Sequence, residues 1–140
     1  MTVEGNLTGE LKASAQAAPE GVLLYTTWPD AETAMSAART LVDARLAACA
    51  NLLPAGRSIY VWQGRTDVAE EAVLLLKTTG DAAESLRERV AAIHPYEVPC
   101  ILALPVWVAG SATSFLLWME EQLQQGENNA MNGPQSGENA

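Results

Sequence analysis

Basic side chains are scarce in this chain: eight lysines and arginines stand against seventeen aspartates and glutamates, a net charge of −9. That balance repels phosphate backbones and argues against a nucleic-acid partner. Cysteine is almost missing. Two residues, Cys49 and Cys100, cannot build a disulfide framework, and their apolar settings (Ala-Ala-Cys-Ala and Pro-Cys-Ile-Leu) predict reduced, buried thiols. No run reaches the roughly 20 apolar residues that span a bilayer, so no membrane partner is expected. The first residues lack the basic head and apolar middle of a secretory signal, which makes the cytoplasm the expected location. Gly-rich phosphate loops, Cys-x-x-Cys pairs and Ser/His/Asp signatures are missing as well, so a non-enzymatic protein is expected. Histidine occurs once, at position 94. One imidazole does not make a copper or zinc site.

What remains is an ordinary globular composition. Hydrophobic residues make up 49% of 140, enough for one domain with a real core. Residues 1–19 and 126–140 are small, polar and aperiodic, and they predict disordered tails around a folded domain at 20–125. Within that domain the apolar period alternates between two and 3.6 residues. The run Gly21 to Thr27 predicts a buried strand. Asp30 caps a helix with Ala34, Met35, Ala38, Leu41 and Val42 on one stripe. Residues 48–54 predict a second strand that resumes over 58–63, after a break at Ala55-Gly56. A turn at 64–67 leads to a central strand at 71–79, so the two strands form a hairpin. Asp81 and Glu84 suggest a capping box for a helix over 82–94, with Ala83, Leu86, Val90 and Ile93 inward. A strand over 98–107, with Pro105 at a bend or edge, and an amphipathic helix over 112–125 complete the series.

The order β-α-β-β-α-β plus a helix predicts an α+β, ferredoxin-like sandwich with an extra C-terminal helix. In that arrangement the second and fourth strands take opposite edges. Cys49 and Cys100 then stand about 14 Å apart, at roughly 4.8 Å per strand, too far for a disulfide within one chain. Trp107, Phe115 and Trp118 read as core.

The densest cluster of chemistry is His94-Pro95-Tyr96-Glu97-Val98-Pro99. Its prolines disfavour helix at His94 and Val98, so the backbone turns and holds an imidazole, a phenol and a carboxylate together. With Thr27-x-Pro29-Asp30, Leu46-Ala47-Ala48-Cys49-x-Asn51, Ser58-Ile59-Tyr60-x-Trp62-x-Gly64, and Glu71 ahead of Lys77-Thr78, it forms an ordered set of five motifs over about residues 21–123. Together these resemble the CutA divalent-cation tolerance proteins. The resemblance implies a ferredoxin-like subunit assembled as a homotrimer, similar in architecture to the PII signalling proteins. It also implies a role in tolerance to copper and other divalent ions. Some members of that family carry a thiol in the first strand and a second histidine before the His-Pro step; here those positions hold Thr26 and Ile93.

Several functional expectations follow from these residues. His94 is the candidate metal ligand, with Cu2+ the leading ion, and the bland alternative is a histidine interacting with the end of its helix. Glu71, Lys77, Tyr96 and Glu97 are the candidate lining of clefts between subunits that take a metal ion or a small molecule. Glu71 and Lys77 share a strand face but stand too far apart to pair. Tyr60 and Trp62, spaced by two on a strand, are candidate trimer-interface residues. Two rival readings stay open: a PII-like regulator binding an anionic metabolite through Lys77, Arg57 and Arg65, and a purely structural or interaction trimer.

Overall fold

The structure, a computed structural model, describes residues 19–131, with side chains through Gln124. The predicted disorder at 1–18 and 132–140 lies outside the described residues. Eight elements follow in order: β1 (Val22–Trp28), α1 (Ala31–Asp43), β2 (Cys49–Trp62), β3 (Arg65–Thr78), α2 (Gly80–Ile93), β4 (Ile101–Pro105), a 3-10 turn (Val108–Gly110) and α3 (Thr113–Met131). The strands form one antiparallel sheet in the order β2-β3-β1-β4, so β2 and β4 are its edges, as predicted. Pro105 ends the edge strand β4, where a missing N–H costs no ladder bond on the solvent side. The two cysteines are free and only partly buried, not buried as expected; Cys49 opens edge strand β2 and Cys100 stands one residue before edge strand β4.

One face of the sheet makes the core. Leu24, Trp28, Ala72, Leu74 and Leu76 project from β1 and β3 onto Ala34, Ala37, Ala38 and Leu41 of α1 and Leu86 and Val90 of α2. The alanines let α1 lie close to the sheet, where larger side chains would hold it off. Met35 and Ile93, placed on the inner stripes by sequence, are exposed instead. Met35 adjoins Ala34 without sharing its face, and Ile93 is the last residue of α2. The opposite sheet face is only partly covered. Leu102 and Leu104 of β4 remain exposed there, and α3 shields one corner through Leu116, Met119 and Leu123.

Four local details differ from the sequence reading. Ala55-Gly56 does not break the second strand; it forms a bulge, because three steps on β2 from Leu53 to Gly56 match two on β3 from Val73 to Glu71. Gly56 is required there, since a Cβ would meet the Glu71 carbonyl oxygen at 2.7 Å. The turn is tighter than 64–67. It consists of Gln63 and Gly64, both at positive φ (51° and 77°), which matches the twist of a two-residue hairpin. The cap of α2 is Thr79, whose hydroxyl accepts from the Ala82 amide; Asp81 sits in the first turn. The backbone of α3 continues past Gln125 to Met131, so the predicted tail at 126–140 begins inside this helix.

The consequence of the tight turn is a long arm. β2 and β3 run 14 residues each, while β1 has 7 and β4 has 5. Beyond Gly56 the hairpin therefore leaves the sheet with neither face covered by this chain.

Candidate functional site

The loop 94–100 closes over the end of β1, and His94 fastens it there. α2 stops at Ile93 because Pro95 forces His94 into extended geometry (φ −71°, ψ 138°). The ring then turns inward, 8% exposed, and stacks on Trp28 with centroids 4.2 Å apart. Its Nε2 lies 2.8 Å from the Thr27 carbonyl oxygen, and the Tyr96 amide donates to its Nδ1 at 3.1 Å. A carbonyl only accepts and an amide only donates. These partners assign the donor role to Nε2 and the acceptor role to Nδ1.

In that arrangement both ring nitrogens of His94 already have partners within the chain. Coordination needs an unshared nitrogen lone pair, and the one on Nδ1 is already occupied by the Tyr96 amide. Thr26, at the position of the family's thiol, is also committed: it is fully buried, donates to the Leu74 carbonyl (2.8 Å) and accepts from the Trp28 indole (2.7 Å). Ile93 faces solvent. Among the described residues no group of three His, Cys, Asp or Glu side chains comes together to hold an ion. One chain does not fit a copper centre.

The Tyr96 ring continues the stack outward, 5.0 Å from the imidazole. Its hydroxyl reaches Glu71 Oε2 at 3.5 Å, at the limit of a hydrogen bond. Partial burial raises the phenol above its ordinary value of 10.0, and the negative charge of Glu71 raises it further; Tyr60 and Asp30 add smaller contributions of the same sign. The charges of Glu71, Tyr60 and Asp30 are thus all felt at the Tyr96 hydroxyl, which meets Glu71 at the base of the hairpin arm. Asp30 has a structural task as well: it caps α1 by accepting from the Thr33 amide at 2.7 Å, which holds its carboxyl below the usual 3.8. Sequence reasoning missed Asp30 as a neighbour of this site, and the Asp-after-Pro cap signal alone could not have placed it there.

The remaining candidates divide. Glu97 is exposed on the same loop. Lys77 lies at the far end of β3, paired with Leu23 and Cys49, and its ammonium sits 5.3 Å over the Phe115 ring. Within one chain it does not meet His94, Tyr96 or Glu71. Nor are Arg57 and Arg65 brought to it: Arg57 pairs across the hairpin with Glu70 and Arg65 with Trp62, on opposite faces of the arm. Tyr60 and Trp62 share the Glu71 face, while Ile59 and Val61 take the other. Ile59 is 73% exposed, Val61 71% and Trp62 64%. Trp107, Phe115 and Trp118, expected in the core, are also exposed, Trp107 at 78%. β4 ends before Trp107, which leaves the indole lying across Gly110 at the margin of the sheet.

Comparison with known proteins settles the family. The family model described as CutA1 divalent ion tolerance protein matches residues 22–122. The chain belongs to the CutA family. It is similar to the divalent-cation tolerance protein CutA of Thermus thermophilus, 47% identical over 102 residues, covering 73% of this chain and 96% of the relative. The crystal structure of CutA from Xylella fastidiosa superposes with a TM-score of 0.71 at 35% identity, over 74% of this chain and 98% of that one. A protein from Archaeoglobus fulgidus, described as periplasmic divalent cation tolerance protein CutA, gives 0.69 at 32% identity, over 74% and 98%. Both structural matches span nearly the whole of the other chain, so this chain carries a full CutA-type α+β unit.

Proposed function

We propose that this protein serves divalent-cation tolerance as a cytoplasmic homotrimer of ferredoxin-like subunits, binding its ion at the seams between chains and catalysing nothing. The observation that carries the reading is the bare hairpin arm. A strand pair with Trp62 exposed on the side of the half-covered sheet face, and Ile59, Val61 and Val68 exposed on the other, has the composition of an interface centre. A patch of this kind on a folded chain calls for a partner surface, and a second copy supplies one by symmetry. Tyr60 and Trp62 pack within that interface in this reading.

The Tyr96–Glu71 pair stands at the base of the arm, where an approaching chain completes its surroundings. Glu71 and Glu97 offer carboxylate oxygens and Tyr96 a hydroxyl, a donor set that suits hard or borderline divalent ions. His94 acts behind them by holding the loop that carries Tyr96. Copper, which the resemblance implies, prefers a nitrogen or sulfur that these residues do not present, so the proposal places the ion on oxygen.

Equilibrium dialysis against calcium, manganese and copper tests the assignment. The double variant Glu71→Gln, Glu97→Gln is expected to weaken uptake of the ion that binds by about tenfold or more, given the loss of two charged ligands. Unchanged uptake would remove the site from these residues.

A further inference from the structure

The chain enters β1 by crossing the first turn of α2. Pro19 lies against Gly80, so closely that a Cβ there would fall on the Pro19 carbonyl oxygen. Glycine is therefore required at this position, although it is a poor helix former. Beside the crossing runs a groove of about 730 Å³, bounded by the end of α1, the start of α2 and the flank of α3 turned toward them, with Pro19 and Glu20 on its rim. Leu46, Ala82, Leu116, Leu117 and Leu123 give it an apolar lining, and Leu117 is exposed there. Among the described residues no strand contributes to this lining, so the groove stands apart from the arm and the half-covered sheet face. Chains that meet through those surfaces leave it open.

We propose that residues 7–18 of this same chain occupy the groove, with Leu7 and Leu11 against Leu116 and Leu117. The chain already stands on the rim at Pro19, and its reach suffices. Extended at roughly 3.3 Å per residue, it carries Leu11 up to about 26 Å from Pro19 and Leu7 up to about 40 Å. The groove follows α3 from Thr113 to Gln124, about 17 Å at roughly 1.5 Å per residue. A cavity of roughly 150 Å³ takes benzene, so this one has room for several side chains. Charge agrees: Glu20, Asp81 and Glu120 outnumber Arg45 along the groove, and Lys12 is the one basic residue before Arg39. The other end of the chain does not fit, because residues 132–140 carry no large apolar side chain. A segment so rich in small residues cannot hold a place by itself. Its tether at Pro19 changes that, since a short link supplies an effective concentration in the millimolar range and two seated leucines give contacts of that strength. The docking is independent of the cation reading above, and either can fail alone.

Trypsin tests the docking, because the bond after Lys12 is its one site ahead of Arg39. In the full-length protein in its native assembly, mass spectrometry should show that bond cut at least threefold more slowly than in a synthetic peptide of residues 1–20. Leu7→Ser in the segment and Leu117→Glu in the groove should each remove most of that difference. Circular dichroism that matches the parent establishes that each variant is folded, and Leu117→Asn replaces Leu117→Glu if the latter is not. Leu117→Glu should also keep the parent's sedimentation mass. Cleavage as fast as in the peptide would overturn the proposal, and so would protection that either variant leaves intact. A changed mass for Leu117→Glu would give the groove to a second copy and overturn it as well.

Discussion

At the scale of single residues, the site is built from side chains that spend their chemistry on one another. The Trp28 indole donates to Thr26, Thr26 donates to Leu74, and Trp28 carries the His94 ring on its face. Removing the Thr26 hydroxyl would leave a buried N–H without an acceptor. Thr26→Val, equal in shape, is therefore expected to cost about 1–3 kcal/mol in denaturant unfolding; a loss near zero would show that the indole finds another partner. Tyr96 gives a second reading of the same neighbourhood. Its folded-state value is raised, so the folded chain holds the phenolic proton more tightly than the unfolded chain does. Its contribution to stability is complete below 10.0 and is lost as pH rises through the raised value. Glu71→Gln removes the like charge, so the Tyr96 step in tyrosinate absorbance, identified by its absence in Tyr96→Phe, should move to lower pH. No movement would mean that the carboxylate does not face the phenol in solution.

At the scale of elements, much was legible in the sequence and the failures share a cause. Strands and helices announced themselves by period, and the strand order followed from their succession, because a half-buried element writes its burial into local spacing. The arm did not. Ile59 and Val61 alternate with Tyr60 and Trp62 as a buried strand would, and nothing local says whether such faces meet their own helices or another chain. Trp107 and Phe115 were placed in the core for the same reason. His94 stands out in the sequence as the one histidine, yet its occupation depends on a β1 carbonyl 67 residues earlier, a contact that no spacing records. The turn at Gln63-Gly64 was placed a little late because Gly64 signalled it while Gln63, a poor residue for positive φ, hid its first half. Gln63→Gly is accordingly expected to stabilise the hairpin by about 0.5–1 kcal/mol in thermal or denaturant unfolding; destabilisation would show that the Gln63 side chain makes contacts that outweigh its backbone strain.

At the scale of the whole molecule, everything in the cation reading depends on separate chains meeting. Trp62 and Trp107, two of the four tryptophans, stand in water on the lone subunit, and the arm that carries Trp62 has no packing of its own. A free monomer would expose a patch of the kind that drives association, and the site beside Glu71 would be half a cleft. The most direct measurement is sedimentation equilibrium of the full-length protein at micromolar concentration. The account predicts a single species with the mass of three 14.9 kDa chains, and it predicts that Trp62→Glu together with Ile59→Lys breaks that species down. A folded protein sedimenting at the mass of one chain, with its tryptophans exposed and no tendency to associate, would contradict it.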